Sequence, residues 1–276
     1  MVRRARAQEY EATPRPLIAV GNDYPAGHWH PTHSHRRGQF LHAERGTMMV
    51  VTEAGGWVVP PQAGVWIPGG IAHSIRMLGA VSTRSVYLEG AAAARLPAIC
   101  EVRGVAPLLR HLLIAAIDLP PEYEAEGRAG YLVALLVEEL VRAPTLPFSV
   151  PAPAEPRLAE ACRRFCAAPD IGEDIAAWCR ELGLSRRGFT RMFRAETGLS
   201  FRAWQRRACL QAALPRLAAG ERVTAVALDL GYGAPAAFTA MFRQVVGVSP
   251  QAWRAGAGGS GPDQSWSGAA SLFSRM

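Results

Sequence analysis

Two stretches near the C-terminal end of the chain repeat one another at an interval of 49 residues. Phe189 to Trp204 reads FTRMFRAETGLSFRAW and Phe238 to Trp253 reads FTAMFRQVVGVSPQAW, so nine of the sixteen positions are identical. An apolar segment with helical spacing that ends in Leu-Gly precedes each copy. A helix, a short turn containing glycine and a second helix make up the helix-turn-helix motif. The repeat therefore predicts an all-α domain built from two such units.

The second helix of the first unit is predicted to separate apolar from basic residues. Phe189, Met192 and Phe193 are spaced to bury one face of it. Polar positions on the other faces are Arg186, Arg187, Thr190, Arg191 and Arg194. A basic helix face is often only a solvated surface. Four arginines within nine residues of a duplicated helix-turn-helix nevertheless favour contact with double-stranded DNA.

The net charge of +7 on the 276-residue chain is concentrated in the same region. Residues 151–255 contain 15 arginines and 9 acidic residues, which gives +6, whereas residues 1–150 contain 14 and 13, which gives +1. All 30 basic residues are arginine, whose planar guanidinium suits phosphate and guanine. A polyanionic partner is therefore expected to bind the C-terminal part of the chain.

Residues 157–254 resemble the DNA-binding domain of the AraC family of bacterial transcription regulators. The matching stretches are LGLSRRGFTRMFRAETGLSF and VALDLGYGAPAAFTAMFRQVVGVSPQAWR. The second stretch is similar to the family's C-terminal signature, with these residues in place: Gly231, Phe238, Phe242, Gly247, Pro250 and Arg254. The resemblance implies two helix-turn-helix units joined by a helix over residues 200–219, in which Pro215 should bend the helix or end its regular part.

The resemblance also implies which residues meet DNA. Both recognition helices of the family enter successive major grooves, about 34 Å apart, on one face of the duplex. The family's base-reading positions correspond to Arg187, Thr190 and Arg191 in the first unit and to Ala236, Ala237 and Ala240 in the second. Arginine binds guanine through two hydrogen bonds, whereas alanine can only touch a thymine methyl or fit the groove closely. We therefore expect the first unit to read most of the sequence and the second to position the protein, with Arg243 on phosphate.

The N-terminal part is predicted to be β structure followed by a helical pair. Short apolar runs such as TMMVVT, GWVVP and GVWIP alternate with glycine and proline between residues 17 and 89, as is typical of a sandwich or barrel. From about Val105, leucine, isoleucine and valine recur with helical spacing. The predicted fold class is thus α+β in two domains, an N-terminal β-barrel with a helical pair and a C-terminal all-α domain.

Domain boundaries are predicted from changes in composition. They give a flexible arm over 1–16, the barrel and helical pair over 17–142, a proline-rich linker over 143–156, the double helix-turn-helix domain over 157–255 and a disordered tail over 256–276. No apolar run reaches the roughly 18 residues of a membrane span, and the N-terminus lacks the apolar region of a signal peptide. The expectation is a soluble, cytoplasmic protein with no membrane partner and reduced cysteines.

Five of the seven histidines lie in the stretch HWHPTHSHRRGQFLH. The spacing His33-x-His35-x3-Gln39, followed by His73 in GVWIPGGIAH, resembles the two motifs of the cupin (jelly-roll) barrel. That resemblance implies that these four side chains hold one divalent metal ion, with Gln39 standing where metal-binding cupins usually have glutamate. Three imidazoles suit Zn, Ni, Co or Fe(II). Cupin sensors of regulators also bind organic effectors without a metal, so both kinds of site stay open.

Other candidates surround this motif. His28 and His30 alternate as on a strand and are predicted to line the mouth of the barrel. Trp57 and Trp66 are candidate walls of an effector pocket, although packing in the barrel core is the commoner role for each. His42 is predicted to be structural.

The predicted function is a one-component transcription regulator, not an enzyme, whose barrel senses a small molecule or a divalent metal ion. One alternative is a cupin metalloenzyme, an Fe(II) oxygenase or an isomerase, fused to a DNA-binding domain, with Glu44 as the acid or base unless it only forms a turn. Another is a DNA-binding protein whose barrel only dimerises. Expected partners are promoter or operator DNA, the effector, a second copy of the chain through residues 105–142, and RNA polymerase if the protein activates.

Overall fold

The computed structural model describes residues 13–61, 63–246 and 248–258. The chain divides into two compact units, with the boundary between Ser149 and Val150. This boundary falls within residues 143–156, where the sequence predicts a linker. Gly247, most of the predicted arm over 1–16 and most of the predicted tail over 256–276 lie outside the described residues.

The first unit is built from two antiparallel sheets. Strands in the described residues are β1 (Leu17–Tyr24), β2 (Trp29–His33), β3 (Gly38–Arg45), β4 (Met48–Thr52), β5 (Gly55–Val59), β6 (Ala63–Ile67), β7 (His73–Met77), β8 (Val81–Leu88), β9 (Glu101–Gly104) and β10 (Ser149–Pro151). One sheet has the order β1-β8-β3-β6-β9, and the other contains β5-β4-β7-β2. The prediction of an N-terminal β domain is therefore confirmed.

Aromatic side chains pack directly onto glycines inside this unit. A Cβ atom on Gly38 would lie 2.2 Å from Cη2 of Trp66, and one on Gly64 would lie 2.3 Å from Cζ of Phe40. The ring of Trp66 is buried, and its Nε1 donates to a backbone carbonyl oxygen 2.7 Å away. Trp57 is buried as well. Both tryptophans thus lie in the packed interior, which is the commoner of the two roles predicted for them.

Ten helices are described along the chain. They are α1 (Gly90–Ala94), α2 (Pro107–Ile117), α3 (Arg128–Arg142), α4 (Pro156–Ala167), α5 (Ile175–Leu182), α6 (Arg186–Thr197), α7 (Phe201–Ala218), α8 (Val223–Asp229), α9 (Pro235–Val246) and α10 (Pro250–Gly258). In the first unit, Leu113 of α2 and Leu136 of α3 are fully buried in one cluster with Phe40 and Val86 of the first sheet. The helical pair therefore covers one sheet of the β domain. Within the described residues, no helix combines the length and apolar character needed to cross a membrane.

The C-terminal half of the chain, from Val150 onward, contains the two predicted helix-turn-helix units, α5–α6 and α8–α9, joined by α7. The predicted C-terminal helical domain is thus confirmed. Gly183 ends α5 and Gly231 follows α8, both in the left-handed region, with φ of 68° and 75°. The serine before α7 accepts a hydrogen bond from the Ala203 amide and caps this helix. Pro215 lies in the last turn of α7, which continues beyond it to Ala218, so the proline does not end the helix.

Candidate DNA-binding surface and effector site

Helix α6 presents its arginines to solvent. Its N-cap Ser185 accepts a hydrogen bond from the amide of Gly188 at 3.1 Å, so the helix begins immediately before the basic residues. Phe189 and Phe193 are fully buried beneath them. The predicted DNA-contacting residues Arg186, Arg187, Thr190, Arg191 and Arg194 are all exposed, as are Ala195 and Glu196 near the end of the helix. The hydroxyl of Thr190 donates to the Arg186 carbonyl oxygen at 2.9 Å, which leaves its methyl group and its lone pairs for a partner.

Several other arginines of this unit are paired with acids, whereas those predicted to read bases are not. Arg164 contacts Glu181 at 2.6 Å, and Arg216 contacts Glu221 at 2.7 Å. Among the ion pairs formed by the described residues, none involves Arg187 or Arg191. Within the described part of the chain, no acid neutralises the guanidinium groups of Arg187 and Arg191, and these groups can attract phosphate.

Helix α9 presents a small and nearly uncharged surface instead. The exposed residues of its outer face are Ala236, Ala237, Ala240, Arg243 and Gln244. Phe238 and Phe242, the counterparts of the two buried phenylalanines of α6, are fully buried. The two recognition helices thus have the same buried side and different outer sides.

A loop after α4 ties the two helix-turn-helix units together. The Ile171 amide donates to the Leu230 carbonyl oxygen at 2.9 Å, immediately after α8. A Cβ atom on Gly231 would lie 1.7 Å from Oδ1 of Asp170, so only glycine fits at this left-handed position. The buried amide of Gln205 in α7 donates to the same loop at 3.0 Å. These contacts join the loop before α5 to α7 and to the turn after α8, and no local pattern in the sequence predicts them.

In the N-terminal β domain, three histidines predicted as metal ligands come together. His33 of β2 pairs in register with His73 of β7, and their ring centroids lie 4.4 Å apart. The ring of His35 lies 4.9 Å from that of His73. One ring nitrogen of each histidine lies within 4.8 Å of those of the other two. Imidazole nitrogens gathered in this way suit one divalent ion, to which they bind at about 2.1 Å.

Backbone carbonyls fix which ring nitrogens face the centre of the cluster. Each Nδ1 lies 2.8–3.0 Å from a carbonyl oxygen two residues away, in the pairs His33–Pro31, His35–Arg37 and His73–Ile71. Because a carbonyl oxygen only accepts, each Nδ1 carries the proton and each Nε2 of the neutral ring keeps its lone pair. Metal-binding histidines in proteins are held by hydrogen bonds of this kind.

The Nε2 atom of His73 is the clearest sign that the cluster receives a ligand. His73 is fully buried, and its Nε2 has no hydrogen-bond partner among the described residues. A buried acceptor without a partner destabilises a fold by about 1–3 kcal/mol, which a bound ion or donor would offset. Burial, followed by the neighbouring histidines, lowers the pKa of His73 to about 4 against the opposing hydrogen bond. At neutral pH the ring is therefore unprotonated and able to bind a metal ion.

Gln39 completes the cluster on the β3 side. It is buried, and its Oε1 lies 3.2 Å from Nε2 of His35. Its amide nitrogen donates to the hydroxyl of Tyr87 at 2.9 Å and has the Ser85 hydroxyl at 3.4 Å, which turns Oε1 toward the histidines. With Nδ1 of His35 protonated, the two facing atoms are both acceptors. Two acceptors at this separation suit adjacent ligands of one cation.

A row of rings extends from this cluster to the surface. The His30 centroid lies 6.2 Å from that of His33, the His28 centroid lies 4.7 Å from His30, and Tyr24 stacks on His28 at 4.8 Å. All of these side chains are partly exposed. Burial, followed by the charges of His28 and His33, lowers the pKa of His30. The row gives the cluster an approach lined by rings.

Glu44, the candidate acid or base of the enzyme alternative, is not part of the cluster. It lies within β3 rather than in a turn, which corrects the turn expected from the sequence. Its carboxylate binds Arg84 at 2.6 Å and Arg110 at 3.1 Å. His42, predicted to be structural, is fully buried, and its Nδ1 lies 2.8 Å from the Ala63 carbonyl oxygen.

Comparison with known proteins places both units. A family model described as an AraC-like ligand binding domain matches residues 16–141, and one described as a helix-turn-helix domain matches residues 178–256. The HTH-type transcriptional regulator NimR of Escherichia coli (strain K12) is 31% identical over 220 residues, which cover 80% of each chain.

Two solved structures are also similar to this chain, one over most of its length and the other over its C-terminal part. ToxT from Vibrio cholerae strain SCE256, solved with an unsaturated fatty acid bound, is 11% identical with a TM-score of 0.38, covering 90% of this chain and 98% of that one. The DNA-binding domain of AdpA in complex with a target DNA is 30% identical with a TM-score of 0.34, covering 36% of this chain and 90% of that one.

The structure and the comparisons indicate the same two-domain organisation. The structure has two sheets followed by a duplicated helix-turn-helix, both family models match in this order, and the identity to NimR extends over most of the chain. The chain belongs to the AraC family of transcription regulators, with a ligand-binding domain at its N-terminal side and a helix-turn-helix DNA-binding domain at its C-terminal side.

Proposed function

We propose that α6 reads most of the operator sequence and that α9 mainly positions the protein on DNA. The observation that carries this proposal is the contrast between exposed, unneutralised arginines on α6 and exposed alanines on α9. A guanidinium that binds guanine through two hydrogen bonds discriminates between bases by roughly 1–3 kcal/mol. Arg243 and the backbone amides of α9 then contact phosphate, which fixes register but carries no sequence information.

The histidine cluster is, in this proposal, the sensory site. Zn, Ni, Co or Fe(II) fits the donor set, since three Nε2 lone pairs converge, the one on His73 lacks a partner, and Gln39 turns Oε1 toward them. His33, His35, His73 and Gln39 would hold the ion. The ion would supply a Lewis-acidic centre to which an effector binds. Tyr87 orients the amide of Gln39, and the three carbonyls orient the rings.

We assign the cluster a sensory role rather than a catalytic one. The chain belongs to a family of transcription regulators, and a relative that matches most of it is a transcriptional regulator. The carboxylate considered for acid–base chemistry, Glu44, is bound by two arginines outside the cluster.

Regulation requires that the effector bind more tightly to one state of the protein than to another, with different DNA affinity in the two states. We place the regulator in the cytoplasm on promoter or operator DNA, as a homodimer through the helical pair. Tyr131 and Leu135 lie one turn apart on α3 and are 75% and 43% exposed, which supports such an interface. RNA polymerase is a further partner if the protein activates.

Operator selection from random DNA tests the DNA proposal. The full chain is used to select sites with added Zn, Ni, Co or Fe(II) and with a chelator. We expect two base-specific half-sites of unequal information content, with the stronger one weakened by Arg191→Ala, and a change of affinity on removal of the metal. Equal half-sites would contradict the assigned roles of α6 and α9. The same DNA affinity with and without metal, combined with unchanged regulation in His33→Ala, would contradict the sensory role of the cluster.

A further inference from the structure

The donor set of the histidine cluster carries no negative charge. Each histidine offers an Nε2 lone pair when its Nδ1 donates to a backbone carbonyl oxygen, and Gln39 provides an amide oxygen where a glutamate would provide a carboxylate. Among the described residues, the group of metal-ligand atoms that lie within 4.8 Å of one another contains imidazole nitrogens and no carboxylate oxygen. A divalent ion in this site would therefore keep its full +2 charge.

Among the described residues, strand pairing places no acid directly beside Gln39. Gln39 lies on β3, where it pairs with Tyr87 of β8 on one side and with Ile67 of β6 on the other. Glu89, which follows β8, is already bound by Arg36 and by Arg37, the latter at 2.7 Å. Glu89 lies two residues after Tyr87, the strand partner of Gln39, and two guanidinium groups neutralise its charge.

A bound dication would be the largest charge in this region of the barrel, and it would be partly removed from water because His73 is fully buried. Removing an uncompensated charge from water is costly, so the site gains stability from an anion. We infer that the effector of this regulator is a small anion, with a carboxylate or another anionic oxygen as the group that binds the metal. This inference rests on the proposed metal site and specifies the chemistry of its effector.

The approach to the cluster is compatible with a small organic anion. His33 is partly exposed, so the cluster is open on that side. Beyond it, His30, His28 and Tyr24 line the approach with rings. A small planar carboxylate can pack against the exposed side of this row of rings while its anionic oxygens bind the metal. Benzoate is therefore a suitable probe, and benzamide is its neutral counterpart of nearly the same shape.

The test uses the full chain loaded with Co(II), whose visible absorption bands report directly on its ligands. Co(II) retention is measured first by equilibrium dialysis. The loaded protein is then titrated with benzoate and, separately, with benzamide. We expect benzoate to change the Co(II) bands in a saturable manner and benzamide to leave them unchanged at the same concentrations. Neither readout depends on DNA binding.

Two variants isolate the role of charge at position 39. Gln39→Glu adds the negative charge and should retain Co(II) but weaken benzoate binding at least about tenfold. Gln39→Ala removes the amide without adding charge, and once loaded with Co(II) it should lose clearly less benzoate affinity than Gln39→Glu does. A similar weakening in both variants would mean that the amide itself, not the net charge, governs binding, and would overturn the inference.

The outcomes separate this inference from the proposed function. Failure of the parent protein to retain Co(II) would overturn the metal site and the inference with it. Retention of Co(II) with an equal response to benzoate and benzamide, or with undiminished benzoate binding in Gln39→Glu, would overturn only the inference. Retention together with a benzoate-specific response that Gln39→Glu weakens would support both.

Discussion

The two helix-turn-helix units share buried residues and differ in exposed ones. Three buried aromatic counterparts at the 49-residue interval are identical, namely Phe189/Phe238, Phe193/Phe242 and Trp204/Trp253. Two exposed counterparts are arginine in the first unit and alanine in the second, namely Arg187/Ala236 and Arg191/Ala240. Packing fixes the first set because close-packed interiors tolerate few changes of shape. The fold places no such demand on the second set, so the two outer surfaces were free to take different tasks.

The cores of the two units are nevertheless unequal. Trp178 of α5 contacts five other aromatic rings, with centroids 4.9–6.4 Å away. When the Leu-Gly ends of α5 and α8 are aligned, Val226 occupies the corresponding buried place in α8. The second helix-turn-helix unit, α8–α9, therefore has a smaller core of its own. It is additionally held by the loop after α4, through Ile171 and Asp170.

The largest expected difference concerns these cores. Trp178→Ala should lower the free energy of unfolding of the helical unit by about 3–5 kcal/mol, since it removes a fully buried ring. Val226→Ala removes two methyl groups and should cost about 2 kcal/mol. Urea unfolding of the full chain, followed by the helical circular dichroism signal, compares the two variants. An equal loss would show that the two cores contribute equally.

The second difference concerns two glycines in equivalent turns. Gly183→Ala should destabilise the helical unit by about 1–2 kcal/mol because of its left-handed backbone, with no neighbouring atom within 4 Å of the added Cβ. Gly231→Ala should cost clearly more, because Asp170 must also move. Thermal unfolding of both variants measures the difference.

A double-mutant cycle of Gly231→Ala with Asp170→Ala is the control for this interpretation. If the clash accounts for the excess, the double variant should be more stable than the sum of the single changes predicts, by about 1 kcal/mol. Additive effects would mean that the loop does not restrain the second unit.

The third difference concerns base reading at aligned positions. Arg191→Ala should weaken binding to the selected operator by roughly 1–3 kcal/mol and remove most of the preference for one base pair in the first half-site. Ala240→Ser, at the corresponding position of α9, should change affinity and preference much less. Fluorescence anisotropy against a panel of single base-pair substitutions measures both. Greater loss of base preference in the alanine-bearing unit would reverse the assigned roles.

The smallest expected effect concerns an arginine that both units retain. Arg194 and Arg243 occupy equivalent exposed positions, and we expect each to contact phosphate. Replacing either with alanine should weaken binding to all DNA sequences alike and reduce the slope of log affinity against log salt concentration by about 1. A sequence-dependent loss in only one of the two variants would show that this arginine reads bases.

The sequence predicted the elements whose signals are local. Helical spacing and the repeat indicated α5–α6 and α8–α9, because one buried face per helix produces a pattern within a few residues. The convergence of His33, His35 and His73 was not a local signal; the resemblance to the two cupin motifs implied it, and the structure brings the three side chains together. Glu44 was the exception, because a short β-turn signal was assigned to a residue that lies inside β3.

By itself, the sequence determined which residues are apolar, basic or able to bind a metal, and at what spacing along the chain. Tertiary structure alone decided that Tyr87 orients Gln39, that the described residues leave the buried Nε2 atom of His73 without a hydrogen-bond partner, and that Asp170 lies against Gly231. Periodicity reports only on neighbours in one helix or strand. The contacts of Gln39 with Tyr87 and of Asp170 with Gly231 join segments more than forty residues apart. They exist because strand pairing and close packing brought those segments together.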